Sequence, residues 1–151
     1  IKKNYNLDEY IILFPFCSAH LNIKKWPYYN ELIDLIKNKY KDKYKIIVAP
    51  GPSEINDTKD VNAISILDDE KILDIFQLTS LIKDSSFVVA NDTGPAHMAA
   101  HLDVKGLSLF GKHTTAHKVS IEREKFKAIQ VNDLTKLSAD KVFEKLDKSL
   151  R

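Results

Sequence analysis

The sequence has few of the residues that build covalent or glycine-rich sites: its 151 residues include one cysteine and four glycines. The single cysteine, Cys17, cannot form an internal disulfide, which predicts a reduced, intracellular protein. The glycines complete neither the GxGxxG fingerprint nor the GxxxxGK[ST] loop, which disfavours a nicotinamide enzyme and a P-loop ATPase. Arginine is scarce as well, with 2 residues against 21 lysines. This bias disfavours a nucleic-acid surface, where arginine makes the bidentate contacts.

Long apolar runs and a signal-peptide pattern are also missing, so the sequence predicts no transmembrane segment. The chain starts at Ile1 rather than at methionine, and we expect it to be a piece of a longer protein. Its 44% hydrophobic and 29% charged residues are typical of one globular domain, residues 1–151. The net charge is only +2, and the lysines of segment 37–45 are predicted to form a solvated face rather than a membrane or nucleic-acid patch.

Short β-type runs alternate with longer helical runs, which predicts an α/β fold with a mostly parallel sheet and helices on both faces. The predicted strands are Tyr10–Phe14, Tyr44–Ala49, Ala63–Leu67, Phe87–Ala90, Val104–Phe110 and Lys127–Val131. The predicted helices run from Pro27 to Tyr40, from Glu54 to Lys59, from Asp74 to Lys83, from Pro95 onward and from about Ser138 onward. Asp74 and Gln77 have the spacing of a capping box. Ligands of such sheets bind at the carboxyl ends of the strands.

One segment, Ser86–His101, has the residues of a buried strand, a tight turn and a helix start in direct succession. Its apolar half favours a strand, and Pro95 suits the first turn of the helix that follows. Gly94 lets a ligand approach the backbone closely, and the first amides of the helix have no internal acceptors. Because the positive end of the helix dipole lies behind them, these amides favour a phosphate or another anion.

Two further polar clusters follow other predicted strands, so their residues are expected at the same edge of the sheet. Ser18 and Lys24 come after the first strand, and Glu54 follows the second strand in Gly51-Pro52-Ser53-Glu54. A lysine supplies a mobile cation for phosphate, and a carboxylate accepts hydrogen bonds from ribose hydroxyls. Together with the turn before Pro95, these clusters predict a pocket for a nucleoside diphosphate.

The same clusters resemble the motifs of glycosyltransferase family 9, the ADP-heptose:lipopolysaccharide heptosyltransferases. Asn91–Ala100 resembles the signature N-D-[ST]-G-P-x-H-[LM]-A-A, and Lys24-Lys25-Trp26-Pro27 resembles the K-[RH]-W-P element. Gly51–Glu54 is similar to the loop of the family that ends in glutamate, and Leu107–Gly111 is similar to the strand and L-F-G that follow the signature. The resemblance runs from about Tyr10 to the C-terminus.

The resemblance implies one half of a GT-B enzyme, in which two Rossmann-like domains face each other across a cleft. This chain resembles the C-terminal half, which binds the sugar donor, and the N-terminal acceptor domain is absent from it. The implied reaction is an inverting transfer of heptose from ADP-heptose to the lipopolysaccharide core. The aspartate proposed as catalytic base in the family lies in the N-terminal domain, so no catalytic residue is assigned here.

The resemblance also implies a donor-binding role for eight residues. They are Lys24 at the donor phosphates, Glu54 at the ribose, Thr93, Gly94 and His97 at the pyrophosphate, Asp92 within the turn, Ser18 as a phosphate-binding hydroxyl, and Leu73 beside the base. No cofactor is obligatory, and Mg²⁺ is compatible with the site but not required. The implied partners are a nucleotide sugar and, through the other domain, the lipopolysaccharide core. The implied location is the cytoplasm, with peripheral association at the inner face of the inner membrane as an option.

The sequence is also compatible with other interpretations. The chain could be a non-catalytic nucleotide-binding or regulatory module, or a family 9 transferase that uses another nucleotide sugar. A nucleotide-sugar epimerase of similar fold is less favoured, because its motifs are not apparent. His97 and His101 have the spacing of a zinc-binding HExxH helix, but Met98 stands where that motif has glutamate. The spacing recurs at His113 and His117, yet thiolates and a third ligand are lacking, which disfavours zinc.

Overall fold

The protein is described by a computed structural model that covers residues 1–16, 25–112 and 120–151. The strands in these ranges are β1 (Tyr10–Phe14), β2 (Lys45–Val48), β3 (Ile64–Ser65), β4 (Phe87–Asn91), β5 (Gly106–Phe110) and β6 (Phe126–Gln130). The main helices are α1 (Tyr29–Tyr40), α2 (Ile75–Lys83), α3 (Gly94–His101) and α4 (Ala139–Leu150), with 3-10 helices at Ile55–Asp60 and Leu134–Lys136.

The described strands form one sheet in the order β3-β2-β1-β4-β5-β6, and each neighbouring pair is parallel. This is the strand order of the doubly wound nucleotide-binding fold, so the predicted Rossmann-like α/β class is confirmed. The chain order reverses between β1 and β4, which are direct neighbours in the middle of the sheet. In sheets of this kind, the crevice at such a reversal is where ligands bind.

Alternating strand residues divide the core into two layers. Ile11 and Leu13 pack on the face covered by α1 and α4, and Tyr10 and Ile12 pack on the face covered by α2 and α3. The helix residues of the first layer include Leu32, Ile33, Ile36, Val142 and Leu146, and those of the second include Leu81, Ile82, Ala96 and Ala99. Because both faces of the central sheet are covered, strands β1, β2, β4 and β5 are buried almost throughout, whereas the edge strands β3 and β6 are exposed in part.

Two helix starts follow from local sequence. The Asp74 side chain accepts a hydrogen bond from the Gln77 amide at 2.8 Å, and the Gln77 side chain accepts one from the Asp74 amide at 2.9 Å, so the capping box at the start of α2 is confirmed. The Ser138 side chain caps α4 by accepting from the Lys141 amide at 3.3 Å. Helix α1 begins at Tyr29, two residues after Pro27.

Several predicted elements differ from the structure in extent, and one differs in type. The predicted strand Ala63–Leu67 is reduced to the two residues of β3, because the Ala63 amide is bonded to the Val61 carbonyl in a turn. The predicted helix Glu54–Lys59 is a 3-10 helix, Ile55–Asp60. Strand β5 starts at Gly106 rather than at Val104, whose amide is bonded to the Ala99 carbonyl at the end of α3.

None of the helices in the described ranges is long and apolar enough to cross a membrane.

A buried carboxylate joins the two helices on one face of the sheet. Asp147 of α4, which is 5% exposed, accepts hydrogen bonds from Lys39 at 2.6 Å, from the Tyr40 hydroxyl, and from Arg151 at 2.8 Å. The hydrogen bonds from Lys39 and Tyr40, followed by that from Arg151, hold the pKa of Asp147 well below its usual range, although burial opposes them. Burial, together with the carboxylate of Asp147, raises the pKa of Tyr40 to about 12.

Because the pKa of Asp147 is lowered in the folded state, its ionised form stabilises the fold above the ordinary carboxyl pKa of about 4. This stability is lost as the pH falls from about 4 toward the lowered value. We therefore expect the Asp147→Asn variant to be less stable than wild type at pH 7, with a difference that shrinks steadily below about pH 4. Urea unfolding across this range measures it. The exposed Glu144→Gln variant is the control, and a difference independent of pH would contradict the prediction.

Candidate functional site

A cavity of about 480 Å³ opens at the carboxyl ends of the central strands. Its walls come from the segments that follow β1, β2 and β4, and from the starts of α2 and α3. The lining residues are Phe14, Phe16, Ala49, Pro50, Gly51, Pro52, Glu54, Ile72, Leu73, Asp74, Ile75, Leu78, Asp92, Thr93, Gly94 and Pro95. Most of these side chains are apolar, and the polar ones converge from two sides, which is the usual composition of a small-molecule site.

The loop after β2 holds one carboxylate in a fixed position. The Gly51 amide donates a hydrogen bond to Oε1 of Glu54 at 2.7 Å, and the Glu54 amide donates to the Gly51 carbonyl at 3.1 Å. These two bonds close the turn from both ends. The side chain of Glu54 is half-buried at the cavity wall, with one carboxylate oxygen committed to the loop. This arrangement prepares an acceptor of fixed orientation for a hydroxyl donor.

The turn between β4 and α3 places a helix start at the opposite wall. Thr93 is the N-cap of α3, and its carbonyl accepts from the Ala96 amide at 3.1 Å. Its side chain makes no capping bond to the helix and donates instead to the Asn91 carbonyl at 3.3 Å. Gly94 is therefore the first helical residue, and its amide is among those without an intrahelical acceptor. The turn presents the positive end of α3 to the cavity.

Asp92 and His97 form a pair at this helix start. Asp92 is 9% exposed, whereas the side chain of His97, one turn along α3, is 38% exposed. Their nearest atoms, Oδ1 of Asp92 and Nε2 of His97, are 3.9 Å apart, which is an ion-pair distance when the imidazole is protonated. The Asp92 carboxylate thus lies within ion-pair distance of the imidazole, and a protonated imidazole would offset its repulsion of a bound anion.

A buried amide lies directly behind the turn. Asn91 is 0% exposed, and its Oδ1 accepts from the Tyr29 hydroxyl at 2.9 Å while its Nδ2 donates to the Pro15 carbonyl at 2.9 Å. Sequence patterns place Asn91 in the family signature and indicate no contact between its side chain and Tyr29. Both partners are distant along the chain, so no local signal indicated the contact.

A sequence profile of glycosyltransferase family 9 (heptosyltransferase) matches residues 2–146, which is nearly the whole chain. The chain belongs to this family. A search among curated proteins finds no match to the sequence.

Solved structures of family 9 enzymes share the fold of this family member. E. coli ADP-heptose lipopolysaccharide heptosyltransferase II aligns with a TM-score of 0.78 and 21% identity, over 99% of this chain and 49% of that one. E. coli heptosyltransferase WaaC with ADP-2-deoxy-2-fluoro heptose aligns with a TM-score of 0.75 and 21% identity, over 95% and 45%. The chain thus spans less than half the length of these enzymes.

The fold is also shared outside the family. UDP-GlcNAc 2-epimerase of Methanocaldococcus jannaschii, in complex with UDP-GlcNAc and UDP, aligns with a TM-score of 0.66 and 16% identity. That alignment covers 98% of this chain and 40% of the epimerase. At such identity the likeness shows a common fold and carries no assignment of activity.

The cavity brings together five of the eight residues assigned by resemblance to the family. They are Glu54, Leu73, Asp92, Thr93 and Gly94. His97 does not line the cavity and lies beside Asp92. Ser18 and Lys24 lie outside the described residues, as do Cys17, His113 and His117. The donor-binding roles of all eight residues stay predictions.

Apart from Leu73, the large apolar side chains of the cavity wall were not predicted from the sequence. Phe14 and Phe16 at the end of β1, with Ile75 at the start of α2, supply much of it. Ile75 is 59% exposed and its neighbour Phe76 is 82% exposed, so α2 begins with an open apolar edge beside the cavity. The signal that could have found Ile75 is its place directly after the capping residue Asp74. Among the described residues, no group of three or more His, Cys, Asp or Glu side chains is arranged to hold a metal ion.

Proposed function

We propose that this chain is the donor-binding, C-terminal domain of an inverting heptosyltransferase, which transfers heptose from ADP-heptose to the lipopolysaccharide core at the cytoplasmic face of the inner membrane. One observation carries the proposal: Glu54 after β2 and the Thr93–Gly94 turn after β4 line one cavity. These two motifs are far apart in sequence, and the family match is independent of their meeting in space.

The chemistry of each wall fits one part of a nucleoside diphosphate. The helix start at Gly94 offers an amide and a positive dipole for phosphate oxygens. The carboxylate of Glu54, oriented by the Gly51 amide, accepts from ribose hydroxyls. The apolar side chains, Leu73 among them, suit the faces of a nucleobase. The solved structures of WaaC with ADP and with a fluorinated ADP-heptose agree with this class of ligand.

In the proposed reaction, a hydroxyl of the acceptor attacks the anomeric carbon while the bond from that carbon to the diphosphate oxygen breaks. Negative charge grows on the departing diphosphate, and the helix start at Gly94 lines the part of the cavity where we place this leaving group. Donors that are fixed before the reaction stabilise such charge most effectively. The acceptor and the base that removes its proton belong to the other half of the enzyme.

Calorimetric titration of residues 1–151 with ADP, UDP, GDP and ADP-heptose tests the proposal. We expect the ADP ligands to bind most tightly, and we expect no sugar transfer by this chain alone. A preference for UDP or GDP would favour a family member with another nucleotide sugar. Failure to bind any nucleotide would contradict the proposal that this cavity is a nucleotide site. Full transfer activity of this chain alone would contradict the proposal that the other domain supplies the acceptor site and the base.

The Glu54→Gln variant sharpens the same titration. Glutamine keeps an acceptor for the Gly51 amide, so the loop is retained, but it replaces the second carboxylate oxygen with a donor. We expect ADP to bind about tenfold more weakly, a loss the size of one charged hydrogen bond, and pyrophosphate to bind as in wild type because it has no ribose. The exposed Glu144→Gln variant is the control. Equal losses of affinity for ADP and for pyrophosphate would contradict a contact between Glu54 and the ribose.

A further inference from the structure

We propose that Asn91 and Tyr29 are positioning residues, which hold the anion-binding turn Asp92–Gly94 in register with the segment that follows β1. This inference rests on the proposed function, since it concerns how the same cavity keeps its phosphate end in place. Neither residue lines the cavity, so each acts through the turn rather than by touching a ligand.

The side chain of Asn91 joins three separate parts of the fold. Its Oδ1 accepts from the Tyr29 hydroxyl at the start of α1, and its Nδ2 donates to the carbonyl of Pro15, the first residue after β1. Both distances are 2.9 Å, and Asn91 is 0% exposed. A buried amide is costly unless its donor and its acceptor are both bonded, so this geometry favours one relative position of the three segments.

Both ends of this bridge lead directly into the cavity wall. Asn91 is followed by Asp92, Thr93 and Gly94, and Pro15 is followed by Phe16, which lines the cavity. The main chain of Asn91 is held as well, because its carbonyl accepts from the Thr93 hydroxyl at 3.3 Å. A shift of the Asn91 side chain therefore moves the helix start at Gly94 relative to the loop after β1.

Tyr29 is itself fixed by packing that does not involve its hydroxyl. Its ring lies edge-on to the Trp26 ring, with 4.9 Å between centroids and an interplanar angle of 76°. Trp26 is anchored in turn by a hydrogen bond from Nε1 to the Leu137 carbonyl at 2.7 Å. Removal of the hydroxyl alone thus leaves the ring in place and withdraws one donor from Asn91.

The test compares a ligand that has phosphates with one that lacks them. We expect Tyr29→Phe to weaken ADP binding about tenfold, equivalent to about 1.4 kcal/mol, while adenosine binding changes less than about twofold. Calorimetry measures ADP, and NMR titration measures the weaker adenosine. A matched control is Tyr28→Phe, one residue earlier, whose hydroxyl donates to the Thr135 carbonyl at 2.6 Å and has no link to the turn. This control should leave both affinities unchanged.

Each outcome decides the proposal. A selective loss of ADP affinity in Tyr29→Phe supports it. Amide hydrogen exchange that is faster than in wild type for residues 91–97, but unchanged for α4, supports it as well. Unchanged ADP binding, or equal losses for ADP and adenosine, overturns it and leaves the proposed function intact. A variant that does not fold overturns it too, because the bridge is then a requirement of stability. If the wild type binds neither ligand, the proposed function fails along with this inference.

Discussion

Replacement of Gly106 with alanine is expected to lower the free energy of unfolding by about 3 kcal/mol, at the upper end of the range for overpacked cores. A Cβ atom at Gly106 would lie 2.6 Å from Cε2 of Phe126 and 2.7 Å from the carbonyl oxygen of Val88. Val88 pairs with Gly106 in the ladder between β4 and β5, and Phe126 is 0% exposed. Because one contact is to backbone and the other is to the ring of a buried phenylalanine, we expect the strands to shift apart locally.

Thermal unfolding measures this effect, and a drop of about 6–12 °C in Tm is expected for a chain of this size. The matched control is Gly94→Ala, the same substitution at a glycine where a Cβ would meet no atom of another described segment within 4 Å. The control should keep or slightly raise the stability, since alanine restricts the unfolded chain more than glycine. Equal stability of the two variants would contradict the prediction, because it would show that the sheet accommodates a Cβ atom at Gly106 with no loss in the free energy of unfolding.

The second large effect concerns ligand affinity at Gly94. We expect Gly94→Val to weaken ADP binding about 30-fold, or about 2 kcal/mol, with little loss of stability. Among residues 1–16, 25–112 and 120–151, no atom beyond the chain neighbours and the backbone of α3 lies within 4 Å of a Cβ at this position, and the φ angle of Gly94 is not in the left-handed region. The described part of the fold therefore does not require glycine there. The residue lines the cavity at the start of α3, where a side chain would stand between the first amide and a phosphate.

Titration of Gly94→Val with ADP, beside Gly94→Ala, measures this loss. A graded loss, smaller for alanine than for valine, is the expected result of steric exclusion from the helix start. Wild-type affinity in the valine variant would mean that the phosphates bind elsewhere. A large fall in Tm, like that expected for Gly106→Ala, would mean instead that the turn before α3 needs glycine at position 94 for its stability.

Much of the fold could be predicted because its signals are local. The capping box of Asp74 and Gln77 and the cap at Ser138 need only residues three positions apart, and the apolar strands need only their own composition. The extent of β3 could not be predicted, because a strand at the edge of a sheet has one partner and ends where that partner ends. Its apolar residue Ile64 is 40% exposed, which composition alone does not indicate.

The residues of the site that could be predicted are likewise those with a local sequence signal. Glu54 and the turn at Gly94 were predicted because each belongs to a short motif after a strand, and topology brought both to one cavity. The Tyr29 hydroxyl and the Pro15 carbonyl could not be predicted as partners of Asn91, because they are 62 and 76 residues away. Asp147 resembles a solvent-facing helix residue in sequence, and only the packing of α4 on α1 makes it a buried acceptor.

The pairing of β1 with β4 has a consequence for how the protein reaches its native state. The Asn91–Pro15 bond closes a loop of 76 residues, and contacts between such distant segments form late, after the entropy of closure has been overcome. We therefore expect the cavity to be absent from partly folded chains in which only strands and helices adjacent in sequence have formed contacts. A nucleotide that binds there would act on the completed fold alone, and at a hundredfold excess over its Kd it would add about 2.7 kcal/mol to the free energy of unfolding. Ligand binding would then report the closure of the sheet, and an excess of ADP should slow unfolding rather than speed folding.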